Sequence, residues 1–258
     1  MSKKKIYFAS DFHLGAKGKY SSKDRERQIV RWLDQIKTDA EAIYLVGDVF
    51  DFWFEYNTVV PKGYTRLLGK LAELSDSGIP IFFFIGNHDM WMFKYFEEEL
   101  GIKTFREPIQ VELKGKSFYI GHGDGLGPGD HKYKVLKKVF ANPICQFLFG
   151  WIHPNIGIGL ADFWSNKSRD TQPAETDFLG EENEWLLVYA NEQVEKTNAD
   201  FFIFGHRHLP IDYMLKNGHS RYINLGEWMN YNSYAVYDGE NLSIEFFEND
   251  EGKITTGP

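Results

Sequence analysis

The 258 residues carry 29 basic and 37 acidic side chains, a net charge of −8, which argues against a general nucleic-acid binder that relies on counterion release. At 43% hydrophobic and 17% aromatic content the chain can bury a large core, which excludes a mostly disordered protein. Its single cysteine, Cys145, excludes an internal disulfide and is read as buried packing beside Pro143, Ile144 and Phe147, in a reducing compartment.

The N-terminus passes from Met-Ser-Lys-Lys-Lys into a strand-like run at 6–9 without the apolar stretch and cleavage site of a signal peptide, so a cytoplasmic location is expected. No apolar run reaches the roughly 20 residues that span a bilayer. Short apolar runs at 42–46, 81–85, 118–120 and 201–204 also read as buried strands. Helical spacing separates the first three, with Ile29, Trp32, Leu33 and Ile36 within 25–37, and Leu67, Leu68, Leu71 and Leu74 within 64–75. Such alternation predicts βαβ units.

From about 126 to 182 the rhythm breaks, and Lys132, Lys134, Lys137 and Lys138 precede an apolar and aromatic stretch at 140–158. This segment is expected to be an inserted helical cap, with short helices interrupted at Pro143, Pro154 and the glycines around Gly157. It either packs on the core or covers a substrate. Runs at 221–225, 233–237 and 242–247 then read as an antiparallel edge or second sheet, and the acidic tail at 248–258 as frayed. The fold class expected is α/β, a β-sandwich of two mixed sheets flanked by helices, one domain over residues 1–258.

A polar motif follows each of five runs, where an open α/β sheet places its ligands. They are Asp11-Phe12-His13, Gly47-Asp48-Val49-Phe50-Asp51, Gly86-Asn87-His88-Asp89, Gly121-His122-Gly123-Asp124 and Gly205-His206-Arg207-His208. Residues two apart in extended chain point the same way, so Asp11 and His13, or His206 and His208, can reach a common centre. Carboxylates, imidazoles and one amide oxygen without thiolate suit borderline to hard divalent ions such as Mn, Fe or Zn. Two carboxylates against two dications leave net positive charge, which suits an anionic substrate.

The five blocks resemble those of the calcineurin-like metallophosphoesterases, and the resemblance spans residues 11 to 208. It implies that Asp11, His13, Asp48 and His208 hold one metal, that Asp48, Asn87, His122 and His206 hold the other, and that Asp48 bridges them. Two such ions would activate a water and neutralise phosphoryl oxygens. His88 would stabilise developing charge or protonate the leaving group, and Asp51 would orient it. Asp89 and Asp124 are read as structural supports.

Nearly the whole chain is similar to the UDP-2,3-diacylglucosamine diphosphatases of lipid A synthesis. His122-Gly123-Asp124, then Asp130-His131-Lys132-Tyr133, and later Gly226-Glu227-Trp228, are similar to that family's His-Gly-Asp, Asp-x-x-Tyr and Gly-Asp-Trp. The likeness implies hydrolysis of a lipid-linked nucleotide-sugar at the cytoplasmic face of the inner membrane, with substrate contacts at Asn87, His88, Asp130, Tyr133, Ser168 and His206. Apolar side chains such as Phe140, Phe147 and Trp151 could receive acyl chains, and the lysines could meet anionic headgroups in peripheral membrane contact. Two departures bear on the substrate. The family reads Gly-Asn-Arg-Asp where this chain has His88, which unlike arginine can move a proton. The stretch 169–176 also lacks the family's Asn and Lys contacts. A phosphodiesterase or phosphatase for another nucleotide-sugar, lipid or cyclic nucleotide is the enzymatic alternative, and a binding scaffold on the same fold the non-enzymatic one. Gly157 and Gly159 supply only part of a dinucleotide fingerprint.

Overall fold

The computed structural model describes residues 4–129, 131–171 and 177–257, with side chains left out at 132, 162 and 164–171. In the N-terminal half, β1 (Lys5–Ala9), α1 (Ser22–Ile36), β2 (Ala40–Val46), α2 (Thr65–Asp76), β3 (Ile81–Phe84), α3 (Tyr95–Leu100) and β4 (Lys103–Phe105) form successive parallel βαβ steps. Helix α1 begins where the Ser21 hydroxyl accepts the Asp24 N–H at 3.2 Å, and buries Ile29, Trp32, Leu33 and Ile36 on one face.

The chain continues through β5 (Ile109–Leu113), β6 (Lys116–Ile120), α4 (His131–Phe140), α5 (Pro143–Gly150), α6 (Pro154–Thr171), α7 (Trp185–Thr197), β7 (Phe201–Phe204), β8 (Pro210–Met214), β9 (Arg221–Leu225), β10 (Ser233–Tyr237), β11 (Leu242–Phe246) and β12 (Thr255–Thr256). Two mixed six-stranded sheets result, ordered β11-β10-β1-β2-β3-β4 and β12-β8-β9-β7-β6-β5. Their inner faces meet in an aromatic layer in which Phe8 stacks on Phe118, centroids 5.7 Å apart, and Phe118 meets Tyr237 at 5.0 Å. Helices α1 and α2 cover the first sheet and α7 the second, so this is the α/β sandwich expected.

Several expectations change. The C-terminal strands are not one antiparallel unit: β9 pairs parallel with β7 in the second sheet, whereas β10 and β11 extend the first through antiparallel pairing with β1. Short apolar runs identify strands but not partners. The tail read as frayed carries β12, which pairs with β8. The helical segment is interrupted just before Pro143 and Pro154, as expected, and each proline opens the next helix, where a missing N–H costs nothing. Gly157 does not break α6; a Cβ there would meet the Tyr56 hydroxyl at 2.8 Å, so close packing explains it. Cys145 is partly exposed, not buried.

Candidate metal centre

Strand register brings the motifs level. Ala9 of β1 pairs with Leu45 of β2, and Val46 with Phe84 of β3, so the three strands end together. In the other sheet Ile120 of β6 pairs with Ile203 of β7, and Phe204 with Asn224 of β9. Backbone bonds then tie the loops, from Asp11 N–H to Gly47 O at 3.0 Å, His13 N–H to Asp48 O at 3.0 Å, Gly205 N–H to His122 O at 3.0 Å and Trp228 N–H to Asp11 O at 3.1 Å. The sheets are joined at the centre, where His122 Nδ1 lies 2.8 Å from Val46 O. A proton on Nδ1 leaves the Nε2 lone pair facing inward.

Two donor groups share Asp48 there, Asp11, His13, Asp48 and His208 in one and Asp48, His122 and His206 in the other, each with donor atoms within 4.8 Å of one another; a third such group, His13, Asp51 and His88, lies beside them. Asn87 Oδ1 joins the second group 3.2 Å from His122 Nε2. His13 Nε2 and His208 Nε2 lie 3.0 Å apart, and Asp48 Oδ2 lies 3.3 Å from His122 Nε2 and 3.9 Å from His13 Nε2. Buried Asp48 Oδ2 and His206 Nδ1 have no hydrogen-bond partner among the described residues. Buried polar atoms left unpaired are costly, and a cation at each group would satisfy them. The residues therefore fit two divalent ions.

The backbone is shaped for this convergence. Asp11, His13, Asp48, His206 and His208 adopt φ values of 55°, 43°, 53°, 65° and 58°, a left-handed region that non-glycine residues occupy sparingly and that clusters at functional sites. Two glycines give the close approach: a Cβ on Gly86 would lie 2.2 Å from Asp48 Oδ1, and one on Gly47 2.4 Å from His122 Nδ1.

Residues 4–210 match the family model described as calcineurin-like phosphoesterase. This chain belongs to that family. The phosphoesterase is 43% identical over 260 residues to a UDP-2,3-diacylglucosamine hydrolase of Porphyromonas gingivalis, covering 96% of this chain and 99% of the relative. A Yersinia pseudotuberculosis protein of the same name is 28% identical over 81% of this chain and 86% of its own. Among solved structures, Yfce, a phosphoesterase from E. coli, aligns over 95% of this chain and 93% of its own with a TM-score of 0.48 and 18% identity.

Electrostatics divide the phosphoesterase's histidines into two kinds. Burial lowers His13 to a pKa of about 3 and His206 to about 4, so both are neutral near pH 7. Burial also acts on His122 and His208, but the carboxylates of Asp48 and Asp11 respectively outweigh it and raise both. Burial opposes ionisation of Asp11 and Asp48, yet the surrounding imidazoles hold both far below the usual carboxylate range. Asp89 is raised to about 7 by burial, then by Asp48; it braces the centre by accepting Gly86 N–H at 2.7 Å and Val49 N–H at 2.9 Å.

His88 faces the same centre, its ring 4.9 Å from that of His13. Its Nδ1 bonds the backbone carbonyl of Asp51 at 2.8 Å, with the Asp51 carboxylate at 3.5 Å, so the backbone rather than the expected side chain makes the shorter contact. Tyr133 reaches the centre from α4, its ring 6.4 Å from that of His206, but its hydroxyl donates to Asp124 Oδ2 at 2.7 Å. Asp130 lies outside the described residues; Ser168 lies on α6, with its side chain outside them. Glu227 caps a turn by accepting Asn230 N–H at 3.0 Å, while Trp228 packs on Phe12.

The sequence reading missed two buried arginines. Arg25 of α1 donates to Phe12 O at 2.8 Å, His13 O at 2.6 Å and Ala16 O at 3.1 Å, fixing the loop that carries two of the donors. Arg207 pairs with buried Glu184 at 2.6 Å. A hint of the second was available, since a cation between two metal-type histidines needs an anion nearby.

Proposed function

We propose that this phosphoesterase hydrolyses the pyrophosphate of UDP-2,3-diacylglucosamine, releasing UMP and 2,3-diacylglucosamine 1-phosphate. The observation that carries the mechanism is the meeting of two donor groups on one shared carboxylate, Asp48. The substrate follows from the name of a relative 43% identical over 96% of this chain. Asp11, His13, Asp48 and His208 would hold one ion, and Asp48, Asn87, His122 and His206 the other; Mn is the proposed metal, with Fe and Zn compatible with the same ligands. Two ions bound there would supply Lewis acidity and would lower the pKa of a water, whose deprotonated form is the nucleophile for in-line attack on phosphorus.

The chain's own residues do the rest. Nδ1 of His88, bonded to Asp51 O, directs Nε2 to the substrate; with a second proton on Nε2 the ring would neutralise developing charge or pass that proton to the leaving group. Asn87, His206 and Tyr133, with Asp130 and Ser168, are the proposed substrate contacts. We read α4–α6 as a cap inserted in a single domain, whose exposed Ile144, Phe147, Leu148, Trp151 and Phe163 would meet acyl chains or lipid. Among the described residues no helix is long and apolar enough to cross a membrane. A cytoplasmic enzyme touching the inner membrane peripherally fits that surface. Flotation with anionic vesicles at low salt tests it, and protein remaining in the dense fraction would count against it.

The decisive assay is UMP release from the lipid substrate in detergent with Mn, beside bis-p-nitrophenyl phosphate as a generic diester. Release of UMP that disappears in His122→Ala is the expected result. Cleavage of the generic diester alone would leave the two-metal reaction and overturn the substrate.

A further inference from the structure

The helices α4–α6 contribute little to the core: α5 buries no residue, and Ile144, Phe147 and Trp151 are 68%, 64% and 77% exposed. Among the described residues, several of the contacts that hold this segment and the return after it run to the loops bearing the proposed metal ligands, beside the packing of Phe149 on Phe54. At the first root, Asp124 stands two residues beyond His122 and is buried. Tyr133 and Lys137, four apart on one face of α4, both engage it: the Tyr133 hydroxyl donates at 2.7 Å, and Lys137 Nζ lies 2.7 Å from Oδ2 and donates to the Asp124 carbonyl at 3.1 Å. In the middle, Trp91, four residues beyond Asn87, donates its indole N–H to Phe140 O at 2.8 Å and meets the Phe149 ring at 4.5 Å.

At the second root, Arg207 stands between His206 and His208. Its Nε donates to Glu184 Oε1 at 2.6 Å, its Nη2 to Asp177 O at 2.6 Å, and its guanidinium lies 5.4 Å from the Trp185 ring centroid. These partners lie in residues 177–185, which lead into α7. Both side chains of the Arg207–Glu184 pair are 0% exposed, and opening such a pair strands a buried charge.

We propose that this clasping couples the metal centre to the cap: filling the centre orders α4–α6 and the return at 177–185, and ordering the cap tightens metal binding. Asp124, Trp91 and Arg207 are positioning residues in this scheme, which rests on the ligand assignment above. Metal would fix the histidine-bearing loops, each fixed loop would hold its anchor still, and the helices would gain stability through residues that are not themselves ligands. Linkage makes the effect reciprocal.

The test is amide deuterium exchange on the full chain, metal-stripped and with Mn(II), with bound Mn counted by elemental analysis. Binding of two Mn is expected to slow exchange at 131–150 and 177–185 by roughly fivefold or more. In Lys137→Met the slowing at 131–140 is lost while that at 177–185 persists, and in Arg207→Gln the pattern reverses. Should Arg207→Gln fail to fold, Lys137→Met alone decides. Two Mn bound with unchanged exchange in the parent chain, or a full response at 131–140 in Lys137→Met, would overturn the coupling. A parent chain that binds no Mn would instead sink the ligand assignment, and the coupling with it.

Discussion

His88 illustrates how one residue's geometry decides between chemistries. Held through Nδ1 by the Asp51 carbonyl, it is oriented without touching the shared Asp48 side chain, whose Oδ1 accepts only its backbone N–H at 2.9 Å. His88→Ala is therefore expected to lower kcat by about 10²–10⁴-fold while Mn content stays at two per chain, and loss of metal in that variant would contradict the role. Protonation gives a second expectation. Histidine ligands must be neutral and carboxylate ligands ionised, so any proton carried by His122 or His208, both raised, must leave when metal binds, whereas His13 and His206, at about 3 and about 4, carry none near pH 7. Protons compete with metal, so affinity should rise with pH. Calorimetry in buffers of different ionisation enthalpy would detect the release, and a buffer-independent heat would exclude it. Gly86→Ala should cost about 1–3 kcal/mol in urea denaturation and diminish Mn content, because its Cβ would fall 2.2 Å from Asp48 Oδ1. The seven proposed ligands could be nominated from the sequence because each lies directly after a strand-like run. The positive φ at five of them was not legible, since left-handed backbone in Asp and His leaves no mark in the residue order.

At the scale of elements, the core-facing helices were legible and their side contacts were not. The spacing of Ile29, Trp32, Leu33 and Ile36 announces α1, but the same helix turns Arg25 inward to hold the carbonyls of Phe12, His13 and Ala16. Arg25→Met is expected to cost about 3 kcal/mol, measured by urea denaturation, because those carbonyls lose a charged donor in a dry environment. Mn affinity should fall with it. If stability fell with metal affinity unchanged, Arg25 would support the core without positioning the site. The prolines of α5 and α6 mark helix starts, and the glycines inside α6 do not mark its end, because packing against Tyr56 and Phe149 rather than turn formation explains Gly157.

For the whole molecule, the site exists only where two sheets meet, with Asp11, Asp48 and Asn87 following strands of the first and His122, His206 and His208 following strands of the second. Phe118→Ala, which removes the ring stacked on Phe8, should therefore cost about 3–5 kcal/mol in denaturant unfolding and weaken Mn binding despite its place in the interior. Intact metal affinity in that variant would show that the loops hold the ligands without help from the sandwich. The sequence by itself determined the α/β class and most strands and nominated the candidate ligands, because strand-length apolar runs and the polar residues that end them are local features. Only the tertiary structure decided that β10 and β11 join the first sheet, that the tail pairs with β8, that Arg25 and Arg207 brace the centre, and that Asp124 meets Lys137 of α4. Those outcomes depend on which distant surfaces meet, and partners as far apart as β1 and β10 leave no periodic signal in either segment.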